Sequence, residues 1–299
     1  MPCIEHTFKA MGGPCRLRLE VPDKVVADTA IAAAVAEVQR LEFKYSRYLP
    51  DSLTSQINRA AGAGTPVAID AETAGLLNYA NTVWRESEGV FDLTSGVLRK
   101  AWDFKSGLLP EQREIDALLP LVGWDHVRWT RDSVYLPAPG MELDFGGCVK
   151  EYAADSAAAQ LRRHGVVVAL VDLAGDMVAV GAPDGAAGWP VGIRHPEARD
   201  RAVAELSLPE GGLASSGDYE RCMVIEGRRF GHILHPRTGW PVQGLVAVTV
   251  LAEQCLVAGS SATIAMLKPA EEALDWLDKL GLPWLAIDSE LGCYGSLVT

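Results

Sequence analysis

The spacing of apolar residues changes several times along the chain, and each spacing predicts one type of element. From about residue 25 to residue 45 the apolar residues recur at the interval of a helix. Those residues are Ile31, Ala34, Val35, Val38 and Leu41. A second helix is predicted after Asp70, because aspartate is a preferred N-cap, and Gly89 is predicted to end it. Residues 15–21 alternate between apolar and polar positions, which predicts a strand.

The rest of the chain mixes helical and strand patterns. A short strand is predicted to end at Gly146-Gly147, and an alanine-rich helix follows it up to Gly165. Further helices are predicted at 111–121, 256–267 and 270–280. Further strands are predicted at 127–129 and 134–136 as a hairpin, within 166–181, and near 190–194, 202–208, 222–226, 229–234, 246–251, 284–288 and 293–298. Because the two types are interspersed without strict alternation, we expect a mixed α+β fold rather than a doubly wound sheet.

The composition is that of an ordinary globular protein. Hydrophobic residues make up 48% and charged residues 22% of the 299 positions, and without repeats or low-complexity segments we interpret 1–299 as a single domain. The net charge of −12 argues against nucleic-acid binding, which requires a basic surface. We also expect a cytoplasmic protein with reduced thiols. The sequence predicts no signal peptide or membrane span, and the six cysteines form no C-x-x-C pair.

Five polar segments that contain glycine interrupt the apolar pattern, and each has a structural and a functional interpretation. In the first, Gly12-Gly13-Pro14 suits a turn, and Met11 would offer a soft apolar surface to a flat ring. In the second, Asp51 and Ser52 suit the cap of a short helix. The same segment offers Tyr48 for stacking on an aromatic ligand and Asn58 for hydrogen bonding to one.

The third and fourth segments combine acidic residues with glycine. At 89–96, Asp92 and Thr94 suit a local cap, although a carboxylate beside Phe91 also suits a ligand that has rings and hydroxyls. At 143–155, two glycines precede the start of a helix, where free backbone N–H groups favour an anion. Lys150 lies in the first turn of that helix, where a cation is unfavourable unless an anion is bound. The fourth segment therefore predicts a phosphate site.

The fifth segment pairs GLASSGDYER (212–221) with GHILHPRTGWP (231–241). Two prolines and Gly239 predict a sharp turn after a strand at 230–234 that carries His232, with His235 in the turn. A hairpin turn at Glu226-Gly227 would bring Ser216 and Asp218 near His232. A serine hydrolase triad is one interpretation, but the G-x-S-x-G motif of such enzymes is missing.

In this order, the segments resemble the ApbE family of flavin transferases, the FAD:protein FMN transferases. The resemblance extends from Phe8 to about Leu285. The matching segments are Met11-Gly12-Gly13, Ser46-Arg47-Tyr48 with Ser52 and Asn58, Gly89-Val90-Phe91-Asp92-Leu93-Thr94, Asp144-Phe145-Gly146-Gly147 with Lys150-Glu151-Tyr152-Ala153-Ala154-Asp155, Ser215-Ser216-Gly217-Asp218-Tyr219, His232-Ile233-Leu234-His235-Pro236-Arg237-Thr238-Gly239-Trp240-Pro241, and Ala258-Gly259-Ser260-Ser261-Ala262-Thr263.

The resemblance implies two mixed lobes with FAD in the cleft between them. It implies that the flavin nucleotide is bound by Met11, Tyr48, Asn58, Val90, Phe91, Asp92, Asp144, Lys150, Ser216, Gly217, Ile233 and Thr238. A divalent cation, usually magnesium, would bind the pyrophosphate with help from Gly147 and Thr263. The implied reaction moves FMN from FAD to a threonine or serine hydroxyl of a target flavoprotein and releases AMP. His232 is the implied general base for that hydroxyl.

Three positions depart from the family pattern. The metal-binding aspartate of A-D-x-x-x-T is Gly259, the glycine of K-G-Y is Glu151, and the aspartate of H-I-x-D-P is His235. Because magnesium usually needs one or two carboxylates, we expect weak magnesium binding unless another acid replaces the missing one. Candidate replacements are Asp92, Asp144 and Asp218.

Two other functions remain open from the sequence. One is a flavin-binding protein that keeps the FAD cleft without catalysis, and the other is a pyrophosphatase that splits FAD into FMN and AMP. The sequence assigns no role to His235.

Overall fold

The computed structural model describes residues 3–198, 201–219 and 222–298. In chain order its strands are β1 (Cys3–Ala10), β2 (Gly13–Glu20), β3 (Val67–Ala68), β4 (Arg128–Trp129), β5 (Ser133–Tyr135), β6 (Ala169–Leu173), β7 (Asp176–Val180), β8 (Trp189–Arg194), β9 (Ala202–Leu208), β10 (Gly211–Gly217), β11 (Cys222–Ile225), β12 (Arg228–Gly231), β13 (Leu245–Ala252), β14 (Trp284–Asp288) and β15 (Cys293–Tyr294). The α-helices are α1 (Lys24–Tyr45), α2 (Leu53–Arg59), α3 (Ala71–Glu86), α4 (Gln112–Leu118), α5 (Val149–Arg163), α6 (Cys255–Leu267) and α7 (Ala270–Leu280). Short 3₁₀ helices span Leu93–Ala101, Leu119–Leu121, Trp124–His126 and Phe145–Gly147.

An eight-stranded sheet organises the fold. Its strand order is β1-β2-β6-β7-β10-β13-β14-β15. Every neighbouring pair in it is antiparallel. Smaller sheets are formed by β3-β5-β4, by β8-β9 and by β11-β12. The combination of antiparallel sheets and separate helices agrees with the predicted α+β class.

Helices α1, α5 and α6 pack in series, with α5 in contact with both of the others. Small residues line these contacts, since Ala30 and Ala34 of α1 and Ala153 and Ala157 of α5 have no exposed surface. Helix α6 is apolar on nearly all sides and is buried almost throughout. Alanine and glycine at helix contacts allow the backbones to approach closely, which brings the start of α5 against the middle of α6.

Most predicted elements are present, but one strand prediction is wrong. The segment before Gly146 forms no strand, because the backbone of Leu143 pairs with a side chain instead of a neighbouring strand. The side chain of Asn58 accepts a hydrogen bond from Leu143 N at 2.7 Å and donates one to Leu143 O at 3.0 Å. The helix predicted at 111–121 is α-helical only to Leu118 and ends as a 3₁₀ turn that contains Pro120.

None of the six cysteines forms a disulfide, which agrees with the predicted reduced thiols. Across the described ranges, no helix combines the length and apolarity that a bilayer span requires.

A charged cluster joins α1 to α3 and α5, and it gives a stability prediction. Glu72 accepts hydrogen bonds from Arg40 at 2.6 Å, from Lys44 at 2.6 Å and from the hydroxyl of Tyr152 at 3.3 Å. The hydrogen bond from Arg40 is the main cause that lowers the pKa of Glu72 to about 2. We expect Glu72→Gln to lower the free energy of unfolding by about 1 to 3 kcal/mol at neutral pH.

The sign of the pH dependence follows from the lowered pKa. The stabilisation by Glu72 is present above its ordinary pKa of 4.5 and is lost as the pH falls towards 2. Urea unfolding from pH 7 to pH 3 should therefore show a smaller loss of stability for Glu72→Gln than for the native chain. Asp28→Asn, which breaks an exposed pair with Lys24 on α1, is the control and should change stability by about 0.5 kcal/mol or less.

Candidate functional site

Two tight turns lie side by side at one end of the central sheet. The β1–β2 turn has positive φ at Met11 and Gly12, and the β6–β7 turn has positive φ at Ala174 and Gly175. Both are therefore two-residue hairpins of the type that suits the twist of antiparallel strands. A Cβ on Gly13 would lie 2.8 Å from the Cβ of Ala174, so glycine there lets the two turns touch. The predicted turn lies at Met11-Gly12 rather than at 12–14, because Gly13 and Pro14 belong to β2, and it holds Met11 half-buried at the sheet end.

The start of α5 lies against the same end of the sheet. The ammonium of Lys150 is 2.9 Å from the Asp176 carboxylate, which is the first residue of β7. The side chain of Asp176 is 2% exposed, and burial raises its pKa. The sequence predicted a bound anion opposite Lys150, and Asp176 supplies a negative charge there from within the protein. Of the two predicted anion-binding N–H groups, that of Gly146 already donates to Asp144 at 2.9 Å.

Hydroxyl groups from β10 and α6 meet next to this ion pair. The hydroxyls of Ser216 and Thr263 are 2.9 Å apart, and Gly217 ends β10 one residue later. The backbone N–H of Ser215 helps to hold Asp176, so β10 and β7 meet at this point.

Glu151 fills the space that Gly259 leaves on α6. A Cβ at position 259 would lie 2.5 Å from Cγ and 2.6 Å from Oε1 of Glu151. Burial is the main cause that raises the pKa of Glu151, and the negative charge of Asp176 acts in the same direction. Glu151 and Gly259, which were considered separately in the sequence, therefore lie in contact.

The segment that carries Phe91 approaches the start of α5. A Cβ on Gly147 would be 3.5 Å from the ring of Phe91, which is 4% exposed, and Val90 is also buried. Asp92 acts as a cap, because its carboxylate accepts from Thr94 N at 2.7 Å and from Trp124 N at 3.1 Å. Burial raises the pKa of Asp92. Its oxygens therefore serve the local fold.

A second set of predicted ligand residues is already engaged within the protein. Both ends of the Asn58 amide bind Leu143, so we no longer assign this residue a direct contact with the flavin. Asp144 pairs with Arg47. Tyr48 is 74% exposed, its hydroxyl accepts from Arg47 at 2.8 Å, and the guanidinium of Arg47 lies over its ring at 5.0 Å from the centroid.

The hairpin that carries His232 is present as predicted, with positive φ at Glu226 and Gly227 in its turn. Strand β12 ends at Gly231, however, and the predicted strand to residue 234 is shortened because the chain turns there. His232 is exposed, and Asp218 packs on the adjacent Gly231, where a Cβ would be 2.6 Å from the Cβ of Asp218. Asp218 also lies 3.6 Å from Arg229.

No serine triad forms in the described segments 201–219 and 222–298. The hydroxyl of Ser216 bonds Thr263 and that of Ser215 bonds Thr249 at 2.8 Å, and strand β10 pairs with β7 and β13 rather than with β12. The hydrolase interpretation therefore has no structural support.

His235 acquires a structural role in the turn that follows. Its ring Nδ1 accepts a hydrogen bond from the backbone N–H of Arg237 at 3.2 Å. Aspartate makes the same bond two residues ahead in an Asx turn, so His235 acts here as the turn acceptor. The turn closes with Gly239, whose φ is 69° and whose carbonyl accepts from the indole of Trp102 at 2.9 Å.

The role of His235 predicts a pH-dependent stability. Burial, followed by the charge of Arg237, lowers the pKa of His235 below its ordinary 6.5. The turn is therefore fully stabilised above pH 6.5 and loses this contribution as the pH falls towards the lowered pKa. We expect His235→Ala to lower the free energy of unfolding by about 0.5 to 1.5 kcal/mol at pH 8. His235→Asp should keep the native value there and resist mild acid better, as thermal melts between pH 8 and pH 5.5 would show.

A surface cleft of about 400 Å³ lies beside this turn. Its lining residues are Trp84, Glu88, Gly89, Asp92, Leu119, Val122, Pro236 and Arg237. In the same turn segment Thr238 is exposed, and Ile233 is half-buried and packs against the main core. A groove of about 430 Å³ between β1 and α1 lies elsewhere and contains none of the predicted site residues.

The sequence predicted neither the role of Asp176 nor the position of Glu151 beside Gly259. Asp176 looks like the first residue of a strand after a hairpin turn, and only strand pairing brings it to Lys150. In the described residues no group of three or more histidine, cysteine, aspartate or glutamate side chains is arranged to hold a metal ion. A cation at this site would therefore depend on one or two carboxylates together with its ligand.

The fold and the site together define an α+β protein whose polar site lies at one end of an antiparallel sheet. A family model described as the ApbE family matches residues 11–285, which is most of the chain. The protein therefore belongs to the ApbE family, as its motifs predicted.

Relatives with known names agree with this assignment. A Rhodobacter capsulatus protein named FAD:protein FMN transferase is 30% identical over 280 residues, which cover 92% of this chain and 53% of that protein. The chain thus spans about half the length of that relative. A Klebsiella pneumoniae protein of the same name is 32% identical over 252 residues, covering 82% of this chain and 76% of the relative.

Solved structures of the family share the whole fold. The crystal structure of the ApbE protein from Thermotoga maritima has a TM-score of 0.90 and 27% identity, covering 99% of this chain and 97% of that one. The flavinyl transferase ApbE from Pseudomonas stutzeri has a TM-score of 0.85 and 27% identity, covering 99% and 94%. The predicted α+β class and family are confirmed.

Proposed function

We propose that this chain is an FAD:protein FMN transferase that moves FMN from FAD to a threonine or serine hydroxyl of a target flavoprotein. The names of its relatives support this activity. The observation that carries the proposal is the clustering of its motif residues. Lys150, Ser216 and Thr263 lie at the sheet end where the Met11 turn touches the β6–β7 turn, although they are far apart in the sequence.

The transfer requires placement and charge more than covalent chemistry by the protein. The acceptor hydroxyl oxygen forms a bond to the phosphorus of the FMN half of FAD. The bond from that phosphorus to the bridging oxygen breaks, and AMP leaves with the bridging oxygen. The hydroxyl proton passes to the ring of His232, which lies exposed at the end of β12 and accessible to a target protein.

The remaining residues bind and orient FAD in this proposal. Half-buried Met11 offers apolar surface for the isoalloxazine ring, and Tyr48 closes the rim with its exposed ring. Buried Phe91 supports the wall of the site at Gly147. The Lys150 ammonium faces the phosphates while it remains paired with Asp176. Asp92, Asp144 and Asn58 act one step back, since they hold the backbone that forms the walls of the site.

A divalent cation fits the donor set of this site. Glu151 carries a buried carboxylate oxygen without a hydrogen-bond partner in the described residues, and Gly259 opens the space beside it. The hydroxyl of Thr263 and the carbonyl of Gly147 are additional oxygen donors. When bound, magnesium would neutralise the charge of the pyrophosphate. Of the replacements considered from the sequence, Asp92 and Asp144 already accept hydrogen bonds from the backbone, and Asp218 lies 3.6 Å from the cation of Arg229.

The function is tested with the purified chain, FAD, magnesium and a peptide that carries the family's acceptor threonine motif. Mass spectrometry follows the peptide and chromatography follows AMP. A peptide heavier by one FMN group, with an equal amount of AMP, supports the transferase. AMP together with free FMN and unmodified peptide would instead support a pyrophosphatase, and intact bound FAD without products would support a binding protein. A peptide in which the acceptor threonine is replaced by valine is the control.

A further inference from the structure

Glu151 carries a buried acidic group that the fold leaves unsatisfied. The residue is 7% exposed and lies in the first turn of α5. Its Oε2 atom has no hydrogen-bond partner in the part of the chain that the structure describes. Buried carboxylate oxygens without partners are rare in native proteins, since each one loses its hydration without compensation. An oxygen of this kind indicates a missing cation or donor.

The space around this carboxylate exists only because residue 259 is glycine. A Cβ there would approach Cγ and Oε1 of Glu151 to 2.5 Å and 2.6 Å, closer than real Cβ contacts. Glycine inside a buried helix lowers helix stability, so its presence in α6 requires a packing reason. Gly259 therefore leaves space for one acidic side chain, and Glu151 of α5 occupies it.

The charges near this space do not balance. The buried carboxylates of Glu151 and Asp176 face one cation, Lys150, which is paired with Asp176 at 2.9 Å. The nearby carboxylate of Asp155 accepts from Cys255 N and Leu256 N, both at 2.9 Å, at the start of α6. That carboxylate is satisfied locally. Glu151 is therefore the buried carboxyl group without a charge partner of its own, and a divalent cation would supply one.

We propose that Glu151 is the carboxylate ligand of a divalent cation, next to the hydroxyl of Thr263. The acidic group that the family pattern places at position 259 thereby enters the same space from position 151 on the neighbouring helix. The inference rests on the proposed function for its biological meaning, but the metal site itself is testable without FMN transfer. Magnesium is commonly held by one or two carboxylates and substrate phosphates, so a larger acidic cluster is unnecessary.

The test measures binding of Mn²⁺ to the full chain by electron paramagnetic resonance, with and without saturating FAD. Mn²⁺ is the probe because it shares the oxygen preference of magnesium and its free ion gives a direct signal. We expect Glu151→Gln, which keeps the shape of the side chain, to weaken Mn²⁺ binding by about tenfold or more. Glu272→Gln, an exposed change on α7, should bind Mn²⁺ like the native chain.

Exchange of the two positions provides the sharpest comparison. Gly259→Asp alone should disturb the site, because its side chain collides with Glu151, and Glu151→Gly alone should lose the ligand. The double variant Glu151→Gly/Gly259→Asp should recover most of the Mn²⁺ affinity, since one carboxylate again occupies one space. Thermal unfolding of each variant separates loss of the fold from loss of the ligand.

Two results would overturn the metal site: wild-type Mn²⁺ affinity in Glu151→Gln, or no Mn²⁺ binding by the native chain with FAD bound. FAD affinity, measured separately by flavin fluorescence, keeps this inference distinct from the proposed activity. Mn²⁺ binding that depends on Glu151 in a chain that never transfers FMN would support the metal site and contradict the transferase.

Discussion

Replacement of His232 by alanine is expected to lower the rate of FMN transfer by about 10² to 10⁴ while FAD binds normally. The ring is exposed at the end of β12, beyond the hairpin whose Met223 and Phe230 pack against Trp102 and Ile115. Its removal therefore leaves the core unchanged. A general base acts on the acceptor hydroxyl, so its loss affects the chemical step rather than the affinity for FAD. Initial rates of AMP release and flavin fluorescence titrations measure the two quantities.

The pH profile distinguishes a base from a structural residue. If His232 accepts the proton, the rise of kcat/KM with pH that reports its titration should disappear in His232→Ala. His6→Ala, outside the proposed site, is the matched control and should keep both rate and profile. Loss of FAD affinity in His232→Ala, or a transfer rate equal to that of the native chain, would contradict the assignment.

Removal of the Lys150 charge is expected to produce the largest change in stability. Asp176 is 2% exposed, and Lys150 at 2.9 Å is its charge partner. Lys150→Met would leave a buried carboxylate without compensation, which should lower the free energy of unfolding by about 3 to 5 kcal/mol. Urea unfolding at pH 7 measures this loss. Protonation of Asp176 should return part of the stability as the pH is lowered, since burial already raises its pKa.

A double variant separates the structural role of Lys150 from its proposed role in FAD binding. Lys150→Met/Asp176→Leu removes both charges and should recover most of the stability. It should still bind FAD about tenfold or more weakly, because the phosphates lose their charged donor. Lys24→Met, an exposed change at the start of α1, is the control for the lost charge. Full FAD affinity in the double variant would mean that Lys150 serves the fold alone.

The structure shows which of the predicted ligand residues already have partners within the protein. Asn58 was assigned to the ligand because its amide can hydrogen-bond one and its position matches the family motif, yet the amide pairs with Leu143, 85 residues away. The same contact removed the strand predicted before Gly146. Asp92 matches a local cap, which the sequence had offered as its alternative interpretation.

The departures from the family pattern illustrate the limit of position-by-position reasoning. Glu151 and Gly259 are 108 positions apart, and each was interpreted alone, as an added charge and a lost ligand. In the fold the side chain of Glu151 fills the space that Gly259 leaves. The sequence assigned no role to His235, and in the fold its ring accepts a hydrogen bond from the backbone of the turn.

Local chemistry sufficed for the helices, most strands, the tight turns and the family. Helical periodicity, N-caps such as Asp70 and the glycines of hairpin turns act over a few residues, so they can be recognised from the sequence alone. Contacts between distant segments determine which carboxylates have a partner within the protein. They leave Glu151 without a charge partner of its own. Such contacts depend on how α5, α6 and β7 pack, and packing is a property of the assembled fold. The pairing of Lys150 with Asp176 and the entry of Glu151 beside Gly259 both arise there.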